Sequence, residues 1–128
     1  MEIDETGRDL VLRAMIAMAK ADGDVADIET TTISAVFEKV TGETLDEEEI
    51  RKAAAGIAGN SAALTQDLKA AANTLDKQTK EAIIKAAYLV LMSDGEIASG
   101  ERMRLFSMAS ALKMPEIHIT AILEDLER

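Results

Sequence analysis

Ala21-Asp22-Gly23-Asp24-Val25-Ala26-Asp27-Ile28-Glu29 is followed, 72 positions on, by Ser93-Asp94-Gly95-Glu96-Ile97-Ala98-Ser99-Gly100-Glu101. Asp22, Gly23, Val25, Ala26 and Glu29 of the first stretch correspond to Asp94, Gly95, Ile97, Ala98 and Glu101 of the second. The same offset carries the flanking apolar positions. Downstream, Ile33, Val36, Phe37 and Val40 recur at i, i+3, i+4, i+7, and Leu105, Met108, Ala109 and Leu112 repeat that spacing. Upstream, Val11, Ala14, Met15 and Met18 correspond to Ile83, Ala86, Ala87 and Val90. Apolar residues at this spacing form one stripe of a helix, so each half predicts two amphipathic helices joined by an Asp-Gly turn.

A third helix is expected in each half. Gly42 can close the preceding helix in the left-handed conformation, and Thr44 with Glu47 reads as a capping box for the next. In the second half Pro115 falls where a first helical turn tolerates it. Ile50, Ala54 and Ile57, and Ile119, Ile122, Leu123 and Leu126, are the expected core-facing positions. The Ala-rich stretch 60–75 predicts a helix joining the halves. The expectation is an all-α compact bundle of about seven helices with an internal two-fold pseudo-repeat, a single domain over 1–128. Its half-repeats run roughly over 8–58 and 80–127, with the helical connector at 60–75.

Composition agrees. A chain of 128 residues suffices for one core, filled here by Ala, Leu, Ile, Val and Met with Phe37, Phe106 and Tyr88 as the aromatics. The absence of cysteine excludes disulfides, thiolate zinc sites and cysteine nucleophiles, and fits the cytoplasm. The acidic opening Met1-Glu2-Ile3-Asp4-Glu5 is unlike a signal peptide, and apolar runs such as 86–92 are too short to span a bilayer, so no direct membrane insertion is expected. A formal charge of −10 disfavours nucleic acid and anionic lipid and favours cations or basic partners.

The turns contain half of a calcium-binding EF-hand loop. Asp22 and Asp94 fall at loop position 5, Gly23 and Gly95 at 6, and Glu29 and Glu101 at 12. Positions 1 and 3 would be Met18 and Lys20, or Val90 and Met92, none of which supplies a carboxylate. Neither turn can be a self-contained site. A pseudo-two-fold arrangement could bring Asp22, Glu29, Asp94 and Glu101 together, with Asp24 and Glu96 adding oxygens at the rim. Such a cluster suits a hard divalent cation, and calcium, with six to eight flexible oxygen ligands, is favoured over magnesium. The same residues also have plain structural uses: Asp and Gly build turns, and Glu in a first helical turn complements the macrodipole. Ala26 and Ala98 at the expected N-cap positions deny Glu29 and Glu101 the partner of a capping box.

Other positions are weaker candidates. His118 lies beside Ile117 and Ile119 and reads as a surface or boundary residue. Glu47-Glu48-Glu49 reads as a solvated helix start, and Met15, Met18, Met103 and Met108 as core. No glycine-rich phosphate loop and no cleft-forming insertion is visible, which argues against an enzyme using two carboxylates and against an organic cofactor.

The segments Ala17–Val25 through Glu29 and Leu91–Ile97 through Glu101 resemble the TerB-like (tellurite-resistance protein B) family, and the resemblance covers most of the chain. It implies a bundle of about seven helices with internal pseudo-symmetry and a role in tellurite and other stress resistance. It also implies divalent-metal binding through the acids near the turns, which map to Asp22, Glu29, Asp94 and Glu101, and membership of cytoplasmic assemblies at the membrane. Related domains occur in membrane-anchored DnaJ-type co-chaperones. Ala26 and Ala98 depart from the Ser, Thr or Asp that often opens the second helix. The expected function is a non-catalytic interaction module that binds a divalent cation and a protein partner. The alternative is a metal-free acidic adaptor for a basic protein.

Overall fold

The computed structural model describes residues 3–19, 30–57, 61–92 and 99–127. Among these the chain forms seven α-helices: α1 (Glu5–Ala19), α2 (Thr30–Thr41), α3 (Glu47–Ile57), α4 (Ser61–Ala71), α5 (Lys77–Met92), α6 (Ser99–Ala111) and α7 (Glu116–Leu126). The expected all-α class and helix count agree with this order, and α4 falls within the Ala-rich stretch 60–75.

The apolar stripes read from the sequence are the buried faces. Val11, Ala14, Met15 and Met18 of α1 and Ile83, Ala86, Ala87 and Val90 of α5 all belong to the core. These two helices make the most extensive pairing in the molecule. Residues between the predicted positions, Leu12 and Ile16 on α1 and Ile84 and Tyr88 on α5, are buried as well, so both helices are covered on more than one side. α3 packs on α1 and α2, α7 on α5 and α6, and α4 touches both α1 and α6. Ile33 and Phe37 of α2, Ile50 and Ala54 of α3, Leu64 and Leu68 of α4, Leu105 and Leu112 of α6, and Ile119, Ile122 and Leu123 of α7 complete the core.

Three helix starts, those of α1, α3 and α5, are set by aspartates. Asp4 Oδ1 accepts the Gly7 N–H at 2.7 Å, and Asp76 Oδ1 accepts the Thr79 N–H at 2.8 Å, each satisfying a donor that the first helical turn leaves without a partner. Asp4 and Asp76 are 72 positions apart, the offset of the turn motifs. The cap of α3 differs from the expectation. Asp46 Oδ1, not Thr44, takes the cap, accepting Glu49 N–H at 2.8 Å, because the stretch before it is held by side chains from elsewhere. Arg8 donates to the Thr44 carbonyl at 3.3 Å and Ser34 Oγ to the Leu45 carbonyl at 3.0 Å, and Leu45 itself is buried. Pro115 is the N-cap residue of α7, one place before the first turn.

Helix ends use the left-handed region twice. Gly42 (φ 79°) donates its N–H to the Glu38 carbonyl at 2.8 Å, as expected for this glycine. α6 ends through Lys113 (φ 60°), with Met114 N–H reaching the Ala109 carbonyl at 3.0 Å, so a residue with a Cβ occupies a conformation that favours glycine.

Candidate functional site

Of the six predicted metal ligands, Asp22, Asp24, Glu29, Asp94 and Glu96 lie outside the described residues, as do Ala26 and Ala98. Glu101 is placed by its backbone on the first turn of α6, its side chain outside the described set. The structure does describe the four helices that carry the turns: α1 runs to Ala19, α2 is described from Thr30, α5 runs to Met92, and α6 is described from Ser99. Among the described residues no group of three or more His, Asp or Glu side chains could hold a metal ion.

The distribution of charge singles out the turns. Residues 20–29 hold four acids against one base, Lys20, and residues 93–101 hold three acids and no base, so these 19 residues carry −6 of the chain's −10. Elsewhere, several acids are paired with arginines. Arg8 Nη1 meets Glu49 Oε2 at 2.8 Å and Arg8 Nε meets Glu43 Oε1 at 3.4 Å, while the guanidinium lies 5.3 Å from the Phe37 ring centroid. The hydrogen bond to Glu49 outweighs partial desolvation and raises the Arg8 pKa further above its ordinary value. Arg13 meets Asp67 on α4 at 2.7 Å.

A second network joins α5, α6 and α7. The Tyr88 hydroxyl donates to Glu127 Oε1 at 2.9 Å and Arg102 Nη2 donates to the same oxygen at 3.1 Å. Tyr88 is pushed upward by burial and then by Glu127, and Glu127 is held below the ordinary carboxylate value by the Tyr88 hydrogen bond and then by Arg102. His118 Nε2 lies 2.9 Å from Glu81 Oε1, consistent with a boundary residue. Sequence reasoning passed over these networks. The available signal was Tyr88 itself, a hydroxyl on the buried stripe of α5 that needs a partner.

One methionine departs from its expected place. Met15, Met18 and Met108 are buried, but Met103 is 71 % exposed. The α6 core stripe is Leu105, Met108, Ala109 and Leu112, and a residue two places before Leu105 is turned to the opposite side of the helix.

A family model for Tellurite resistance protein TerB matches residues 8–123 of the 128-residue chain. The chain belongs to the TerB family. No curated protein and no solved structure matches it. The match spans α1 to the body of α7, so the TerB chain's two turns and the helices that hold them fall inside one family domain. Among its described residues the TerB chain has no helix long and apolar enough to cross a membrane.

Proposed function

We propose that this TerB domain is a non-catalytic module of the stress-resistance type that binds a divalent cation, calcium favoured, between its two Asp-Gly turns and engages a protein partner in the bound state. The observation that carries the reading is the concentration of −6 charge in two short turns whose acids repeat at a fixed offset. The donor set fits the group: Asp22, Glu29, Asp94 and Glu101, with Asp24 and Glu96 at the rim, offer carboxylate oxygens alone, the donors a hard cation takes. Carboxylates brought close repel one another unless a cation, a basic partner or protonation relieves them.

A two-fold relation between the halves is the arrangement that would bring the two turns to one shared site. Gly7 and Thr79, repeat equivalents at the offset of 72, are in contact, and equivalent residues that touch each other stand beside the axis of such an operation. That contact supports the pseudo-two-fold reading. Cytoplasmic residence and participation in an assembly at the membrane belong to the same proposal.

Titration calorimetry with calcium, magnesium, manganese and zinc tests it, on the wild type and on Glu29→Gln with Glu101→Gln. Saturable sub-millimolar binding that the double variant loses is the expected result, and no saturable binding overturns the metal reading. The same concentrated charge suits a basic segment of a partner protein. Capture of such a partner that is lost at high salt but indifferent to chelator selects the metal-free adaptor instead.

A further inference from the structure

Met103 at 71 % and Ile117 at 80 % are the two most exposed large apolar side chains among the described residues. Met103 lines a groove of about 540 Å³ on α6 together with Phe106, Ser107, Ser110 and Arg102. The exposed side chains described on α6 are Arg102, Met103, Arg104, Ser107 and Ser110; Glu127 already pairs with Arg102 at one edge of this face, and Arg104 stands at the other. α7 presents the opposite character. Ile117, Thr120, Ala121 and Glu124 are exposed at i, i+3, i+4, i+7, with Glu116 beside them. One face therefore offers a shallow apolar groove along a single helix with Arg104 at its edge, and the other a single large knob with small neighbours and acids.

We infer that a second copy of this chain docks on α6 head to tail, Ile117 of one copy seated in the groove beside Met103 and Phe106 of the next. Glu116 and Glu124 of the docked helix then face the α6 side that carries Arg104. Complementary charge at the contact opposes the general repulsion between two copies of charge −10, so the register of knob, recess and ion pairs decides whether copies associate. A contact between two different faces leaves one of each free on an open dimer, so growth continues past the dimer, into a ring where the rotation closes and a filament where it does not. This inference does not depend on the metal reading.

Sedimentation equilibrium at physiological salt on wild type, Met103→Glu and Ile117→Glu tests it, with circular dichroism showing that the variants are folded. The wild type is expected to gain mass beyond a dimer as concentration rises, and each variant alone to stay monomeric. Mixed in equal amounts, the two variants are expected to form a heterodimer and nothing larger, since each keeps the face the other has lost. Wild type that remains monomeric up to about 1 mM overturns the proposal. So does a variant pair that fails to associate, the result for a symmetric α6–α6 contact or for a face reserved for a different protein.

Discussion

Gly7 and Thr79 meet where the first turns of α1 and α5 come together: a Cβ on Gly7 would lie 2.7 Å from Thr79 Cγ2 and 2.9 Å from Ile3 Cγ1. Two core helices can approach this closely because one of them carries no side chain at the contact.

Gly7→Ala is therefore expected to lose stability, although alanine is the better helix former. The overlap with the buried, β-branched Thr79 should outweigh the propensity gain and cost about 1 to 2 kcal/mol. Thr79→Ser removes the clashing methyl and keeps the hydroxyl, so the double variant should recover part of the loss. Urea unfolding of the four members of this cycle measures it, and a Gly7→Ala that is neutral or stabilising contradicts the contact.

Lys113 stands at φ 60° at the end of α6, where Gly42 does the same work for α2. Lys113→Gly is expected to stabilise the domain by about 0.5 to 1 kcal/mol, the relief of the left-handed Cβ exceeding the entropy of a freer unfolded chain. Gly42→Ala should shift stability the other way. Thermal melts on both variants check the pair of signs, and equal signs would contradict the assignment.

Acid should weaken the fold through Asp76 and Glu127. Asp76 is held below its ordinary 3.8 chiefly by the Thr79 hydroxyl and then by the Thr79 N–H, and Glu127 below its ordinary 4.5 by Tyr88 and then Arg102. A lowered carboxylate pKa contributes stability above the unfolded value, and that stability is lost as pH falls through the folded value. Tyr88 works at the other end: raised above its ordinary 10.0 by burial, it contributes stability below that pH and loses it as pH rises through the folded value. Denaturation midpoints should fall below about pH 4 and again above about pH 10. Glu127→Gln should flatten the acid limb, and an unchanged acid limb would remove Glu127 from it.

The shared-site reading also has a distance test that needs no metal chemistry. The chain has no cysteine, so Ala21→Cys with Ser93→Cys gives two unique positions for spin labels. Ligands of one calcium ion all stand about 2.3 to 2.6 Å from it, so the labels should lie within about 20 Å and tighten their distribution when calcium is added. A longer separation, unaffected by calcium, rules out one site between the turns.

The helices were legible because burial imposes a 3.6-residue period: Val11, Ala14, Met15 and Met18 could be read as one face before any contact was known. Gly42 was legible for a local reason too, since glycine pays nothing for positive φ. The cap of α3 was not, because Thr44 and Asp46 are both good caps and the choice fell to Arg8 and Ser34, which reach the intervening carbonyls from distant helices. Met103 was misplaced by residue type, when counting from Leu105 would have turned it outward. The Arg8 and Glu127 networks join residues more than 35 positions apart at their longest links, a separation no local pattern encodes. The acids of the turns were legible as a repeated motif.

The spread of methionines between surface and core gives the domain a chemical record of its own opening. Met103 and, at 40 % exposure, Met92 offer their thioethers to solvent, whereas Met15, Met18, Met108 and Met114 are buried. Peroxide should convert the first pair to sulfoxide rapidly and the second group only when helices part, so the ratio of the two in a digest reads how often the bundle breathes.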